Sequence, residues 1–440
     1  MKILMNYKVL SSMPCFFIRY LILFTIFNVF SFQELISKDT DYQFNPRDLF
    51  LSNERPCSET EKNNCYYISP ETNLNPSQQK KDLALLRYAL GHAWGPNWVT
   101  PYETSLVLTK LDEKIEKSSA NLKVEDFCKK IDSAMSIVTD LHSYSELNGI
   151  RCHRNPTIPS QTEIGINFAK NSSSPYTLIW KTVNKSKVLI LAATKFPVLS
   201  DPVYNKLKTD FSNMLINSDS LVIDLRGHSG GDNDVAHFIA SKIWGGKAPE
   251  YKDRFQIQTP EALALYANRF DYYYRIKNLR LGSLENLKDN RDNYLKDMND
   301  AIAGKLSIIR YIKKDNFLDL NTKDTVSLPA EGYHKPVYVL IDSKCGSAGE
   351  DLVAVLEKHP YVTLIGQRTR GVFHFGNQGF LQLPNSRISI WISTTFSSMR
   401  DGRVLENRGF VPKILVPAGK DAFKAINSEK YPGNNTISIK

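Results

Sequence analysis

The stretch "SLVIDLRGHSGGDNDVAHFIASKIW" (residues 220–244) constrains the fold more than any other part of the chain. A continuous apolar run ends in a turn holding Gly227, Gly230 and Gly231, and the pattern then changes to helical spacing. An uninterrupted apolar run is the mark of a strand buried on both faces, which in turn requires helices covering both sides of a parallel sheet. The neighbours agree. "KVLILAATKF" reads as a strand and "YNKLKTDFSNMLI" as a helix, so strand, helix and strand follow one another upstream. A second passage of the same kind runs "PVYVLIDS", "AGEDLVAVLEKH", "VTLIGQ". Two such units predict an α/β layered core with parallel pairing.

The rest of the chain is assigned around that core. Residues 1–35 place Lys2, Lys8 and Arg19 ahead of the apolar run Tyr20 to Phe32, with no acid before Glu34, the order of a secretion signal. The run is shorter than the roughly 20 residues of a spanning helix, so the expectation is an exported protein, with an uncleaved membrane anchor as the alternative. Residues 36–78 read as an irregular lead-in and 79–150 as a helical domain, on the spacing in "KKDLALLRYALGHAW" and "VEDFCKKIDSAMSIVTDLHS". The core is assigned to 156–420, where "TEIGINFAK" and "YTLIWKT" open as a strand pair and "GFLQLP" and "RISIWIST" follow as later strands. A helical insertion is assigned to 245–328, carrying "PEALALYANRFDYYYRIKNL" and "NYLKDMNDAIAGKLSIIRYIKK", and 421–440 is a tail. The run "DYYYR" reads as core packing, with a ligand or lipid surface as the other reading.

Export gives the cysteines meaning. With Cys15 in the signal, the sequence-local pairings are Cys57 with Cys65 and Cys128 with Cys152, which leaves Cys345 over. The formal charge of +10 comes from scattered residues without a long basic tract, so nucleic acid is not an expected partner.

Four stretches can carry chemistry. Glycines in "DLRGHSGG" permit positive φ and let backbone N–H groups face a bound anion; neither a Walker nor a dinucleotide pattern is present, and no cofactor or metal is expected. In "SKCGSAGED", Ser347 stands between a strand and a helix start, where it serves either as a helix cap or as a nucleophile beside unpaired N–H groups. Cys345, two residues earlier, is the other candidate nucleophile. His142 in "TDLHSYSEL" has Asp140, Ser143 and Ser145 as polar neighbours, and Glu406 lies in "LENRGFVP". A serine hydrolase needs a nucleophile, a base, an orienting group and an oxyanion hole.

The order "DLHS", "VIDLRGHSGG", "VLIDSKCGSAGEDLV", "LIGQRTRG", "ENRGFVPKILV" resembles that of the tail-specific, or carboxyl-terminal processing, serine peptidases, and within them the tricorn-core-like branch. The resemblance covers roughly Asp140 to Pro417. It implies a crotonase/ClpP-like layered fold and hydrolysis of polypeptides through an acyl-enzyme, with Ser347 as nucleophile. Ala348 and Gly230, or Gly231 in its place, would be the oxyanion donors. The processing branch carries a base Lys after G-x-x-T-x-G; here Gly366, Thr369 and Gly371 are followed by Val372. The resemblance therefore implies His142 as base with Glu406 in support, and Ser143 and Ser145 behind them. His228 replaces the Asn of the D-x-R-x-N pattern, Lys413 replaces the Asp after the tail proline, and the stretch from His142 to Lys187 is too short for the PDZ module of the processing branch. A non-catalytic binding protein on the same fold, for hydrophobic small molecules or peptides, is the competing expectation.

Overall fold

The computed structural model describes residues 42–49, 68–111, 113, 120–138, 140–152, 174–183, 185–199, 201–276, 283–312, 317–318 and 330–426. These fall into two compact units, one of Asn155–Arg254, Ile312–His374 and Ser397–Lys440, the other of Met1–Arg154, Phe255–Tyr311 and Phe375–Phe396. The N-terminal signal or anchor, the Cys57–Cys65 pairing and the strand "TEIGINFAK" lie outside the described residues.

The first unit is built on a six-stranded sheet. Its strands are β1 (Tyr176–Val183), β2 (Ser186–Ala193), β3 (Ser220–Asp224), β4 (Val337–Ile341), β5 (Val362–Gly366) and β6 (Ile414–Leu415), in spatial order β6-β5-β4-β3-β2-β1. All neighbours are parallel except β1 and β2, which form an antiparallel hairpin. The two strand–helix–strand passages thus fold as their apolar runs predict, with α1 (Pro202–Ile216) between β2 and β3, and α3 (Ala348–Leu356) between β4 and β5. The helix α2 (Asn233–Trp244) follows β3, capped by the Asp232 carboxylate on the Asp234 N–H and closed by Gly245 at φ 73°.

Alternation along each strand divides the core. Leu221, Ile223, Val337, Val339 and Ile341 pack with Ile239, Ile243, Leu352 and Leu356 of α2 and α3. Val222, Tyr338, Leu340 and Ile365 pack on the opposite side with Ile414 and Phe423. Register aligns the carboxyl ends, Leu340 beside Asp224 and Ile341 beside Gly366. The loops leaving β3, β4 and β5 therefore emerge together, at the edge where open parallel sheets hold their sites.

In the second unit, Pro76–Ala93 begins with a reciprocal capping box between Asn75 and Gln78, and Pro101–Leu111 and Val124–Met135 follow. The last of these stops well short of the helical spacing in the sequence, because the chain turns at Ser136–Val138 and enters the strand Tyr144–Leu147. The expected insertion is also only partly helical. Pro260–Arg275 and Leu284–Ile302 are helices, but Gly304 at φ 71° ends the second, and Ile309, Arg310 and Tyr311 then pair antiparallel with Ile257, Gln256 and Phe255. These helices join the N-terminal ones through one apolar cluster containing Leu85, Leu86, Phe127, Ile131, Leu263 and Leu265. The tyrosine run is core: Tyr272 stacks on Phe380 at 4.5 Å between centroids, and Tyr273 lies 6.0 Å from Trp391.

A disulfide joins Cys128 to Cys152 across 24 residues of chain. Opening a loop of that size is expected to cost about 3 kcal/mol, so Cys152→Ser lowers the urea midpoint of this unit; an unchanged midpoint would contradict the assignment. Among the described residues no helix is long and apolar enough to cross a membrane.

Candidate active site

The turn from β4 to α3 holds Ser347 in an unusual state. Its backbone has φ 54° and ψ −126°, the dihedrals of the first central residue of a type II′ turn, where glycine is the comfortable occupant. Although Ser347 stands at the N-cap of α3, its side chain makes no capping hydrogen bond. That removes the helix-cap explanation for a serine here. Strain of this kind persists only where the surroundings over-determine it. The Ser347 N–H donates to the Val372 carbonyl at 3.1 Å, the Ser347 carbonyl accepts from Asp351 N–H at 3.0 Å, and Gly346 N–H donates to the His228 carbonyl at 3.0 Å.

The glycine turn after β3 lies against this serine. Gly230, at φ 104°, has no room for a side chain: a methyl there would sit 2.8 Å from Ser347 Cβ and 3.2 Å from Ser347 Oγ. Gly231 has no room for a side chain either, since a methyl on it would meet the Phe196 carbonyl oxygen at 2.3 Å. Ala348 N–H is the first of α3 and belongs to the set without intrahelical acceptors, at the positive end of the helix. The Gly230 N–H donates to His228 Nδ1 at 3.1 Å.

Three carboxylates bind these loops together, and the sequence reading singled out only one of them. Asp342 Oδ1 accepts from Gly227, Lys344 and Cys345 N–H at 2.9, 3.0 and 3.1 Å, joining the glycine turn to the serine turn. Glu350, fully buried in the first turn of α3, accepts from the Thr369 hydroxyl and from Gly371 and Val372 N–H at 2.8 and 2.7 Å. Burial raises its pKa. Val372 in turn supplies the carbonyl that holds Ser347 N–H, while its own side chain is buried where the processing branch has lysine. Glu406 Oε2 accepts from Phe373 and His374 N–H at 3.0 and 2.7 Å. At the base of the glycine turn, Arg226 grips Asp224 through Nε and Nη2 at 2.8 and 2.7 Å and reaches Asp421 at 3.1 Å. A signal for Glu350 existed, an acid at the start of an otherwise apolar helix, but its donors come from about 20 residues away.

Two alternative reactive groups in this unit are inert. Cys345 is fully buried, and burial, reinforced by Glu350 and Asp342, pushes its thiol well up, the opposite of an activated thiolate. His374 has both ring nitrogens engaged, Nδ1 with the Ser397 carbonyl and Nε2 with Leu405 N–H, each at 2.8 Å.

His142 belongs to the second unit, in the turn before Tyr144–Leu147. Its N–H donates to Asp140 Oδ1 at 3.0 Å and its carbonyl accepts from Gln378 Nε2 at 2.6 Å. Asp140 also accepts from Trp94 Nε1 at 2.9 Å, Ser393 Oγ at 3.0 Å and the Ser143 hydroxyl. Ser145 Oγ donates to Asp132 at 2.9 Å. These polar groups fix the path of the loop that carries His142.

A serine held in a strained strand-to-helix turn, with glycine backbone against it, is geometry that suits a nucleophile of acyl transfer. Residues 187–416, just over half of the chain, match the model of peptidase family S41, and the chain belongs to that family. It is a serine-type peptidase acting on polypeptides, which sets aside the expectation of a non-catalytic binding protein. Among solved structures, mature CPAF is similar at 13% identity and TM-score 0.49, over 78% of this chain and 93% of that one. The photosystem II D1 C-terminal processing protease is similar at 14% identity and TM-score 0.33, over 56% and 49%. A lipoprotein from Streptococcus agalactiae is similar at 14% identity and TM-score 0.41, over 79% and 94%. No curated protein sequence matches the chain.

Proposed function

We propose that the chain cleaves peptide bonds through an acyl-enzyme on Ser347, with His142 as general base and Glu406 in support. The observation that carries this reading is Ser347 itself: positive φ, no cap bond, and a neighbour, Gly230, that only glycine can be. The imidazole takes the hydroxyl proton as Ser347 Oγ attacks the scissile carbonyl carbon. The oxyanion of the tetrahedral intermediate is met by Ala348 N–H and by the glycine turn. There Gly231 is the better candidate, because Gly230 N–H is engaged by His228. Collapse passes the proton to the leaving amine, and water, deprotonated by the same imidazole, releases the acid. Export is part of the proposal, with cleavage of the N-terminal signal or its retention as an anchor. It is supported by the basic-then-apolar N-terminus and by the Cys128–Cys152 bond, since disulfides persist in oxidising compartments.

A fluorophosphonate probe followed by peptide mass spectrometry tests the assignment. One adduct is expected, on Ser347, and His142→Ala should slow its formation on the order of 100- to 10,000-fold. An adduct on another residue, or labelling of His142→Ala at the wild-type rate, would sink the dyad.

A further inference from the structure

We propose that His228 is a positioning residue that locks the glycine turn to the serine turn, so that the oxyanion donors keep their aim; this rests on the acyl-transfer reading of Ser347. His228 is 0% exposed. Its ring touches Phe196 edge-on, with centroids 4.3 Å apart. Its side chain and its backbone act on different loops. Nδ1 accepts Gly230 N–H at 3.1 Å, and the carbonyl of the same residue accepts Gly346 N–H at 3.0 Å, one residue before the nucleophile. The ring also presses on the start of α3, where a methyl on Gly349 would come within 2.6 Å of Nδ1. Gly230 is held from its other side as well, its carbonyl accepting Phe196 N–H at 2.9 Å.

The chemistry fixes the state of the ring. A nitrogen that accepts an N–H carries no proton, so Nδ1 is bare and the hydrogen sits on Nε2. Burial favours this neutral form and pulls the pKa down to about 3. A side-chain acceptor reaching the N–H two residues on is the geometry of an Asx turn, here made by imidazole in place of a carboxamide oxygen. Asparagine should therefore do the same work, and an isosteric apolar residue should not. Without the acceptor, Gly230 keeps only its carbonyl bond to Phe196 and loses the tie on the N–H side that fixes φ 104° against Ser347, so the turn can move off the reacting carbonyl.

The test uses the full chain and its His228→Leu and His228→Asn variants. Three quantities are read: the maximal rate of fluorophosphonate labelling at Ser347, the probe concentration for half that rate, and hydrogen exchange in the peptide covering 225–235. His228→Leu is expected to lower the maximal rate about 100-fold, the usual cost of one misplaced oxyanion donor, with the half-saturating concentration unchanged and exchange faster. His228→Asn should stay close to wild type on all three. Wild-type labelling by His228→Leu, or a His228→Asn as slow as the leucine variant, overturns the role. Failure of the wild-type chain to label at Ser347 instead removes the acyl-transfer reading, and this role with it. Exchange reports the Gly230 bond independently of chemistry: equal exchange in wild type and His228→Leu also overturns the proposal.

Discussion

Ser347→Gly is expected to abolish peptide hydrolysis while raising the thermal midpoint. Loss of the hydroxyl removes the proposed nucleophile, and removal of a nucleophilic serine costs on the order of 10⁴- to 10⁶-fold in turnover. Ser347→Ala should lose as much. The two variants part company in stability. At φ 54° and ψ −126° a Cβ is strained by about 1–3 kcal/mol, and glycine is not. Glycine costs more entropy on folding, which returns part of that gain, so a net rise of about 1 kcal/mol, or roughly 2–4 °C, is expected for the glycine variant. Alanine keeps the Cβ and the strain and should melt near wild type. Residual turnover above a thousandth in Ser347→Ala, or a Ser347→Gly that melts below Ser347→Ala, would contradict the assignment of a strained nucleophile.

The second large effect is expected at Glu350. Three donors, the Thr369 hydroxyl and the Gly371 and Val372 amides, converge on its buried carboxyl. Glu350→Ala leaves all three without their acceptor at a buried position. At 1–3 kcal/mol for each orphaned group, partly relieved by water entering the gap, the loss should be on the order of 3–5 kcal/mol. Turnover should fall as well, because the Val372 carbonyl that holds Ser347 N–H sits in the loop so released. Glu350→Gln keeps one acceptor oxygen and should lie between. Denaturant unfolding of the three proteins, with turnover measured below their transitions, decides the matter. An alanine variant within 1 kcal/mol of wild type would show that the carboxyl is not the anchor of this loop.

The contrast between Ser347 and Glu350 shows what a sequence can disclose. The turns that carry Ser347 and Gly230, and the strands before them, were legible because the signal is local: apolar run, small residues, helical spacing. The parallel pairing of β2 with β3 and of β4 with β5 followed from the same runs, whereas the pairing of β3 with β4 did not. Glu350 and Asp342 were not legible, since an acid looks the same in sequence whether it faces solvent or gathers amides from a distant loop. In the second unit the strands at "GFLQLP" and "RISIWIST" were legible, but the rest of their sheet was hidden for a related reason. Short apolar stretches such as "SIIRYI" fit a helix or a strand equally well, and only partners far along the chain, here Phe255 to Ile257, decide between them. Glu406 was legible as a residue, yet its backbone partners, Phe373 and His374, were not.

The ties made by Asp342, Glu350 and Glu406 bear on how such a site can be altered or moved. Each acid crosses from one loop to another, so the lengths of the loops after β3, β4 and β5 are set by one another rather than by their own turns. A one-residue insertion in any of them would pull at least two amides off their acceptor. Grafting the serine turn onto another parallel sheet would accordingly require all three loops and their acids as a cassette.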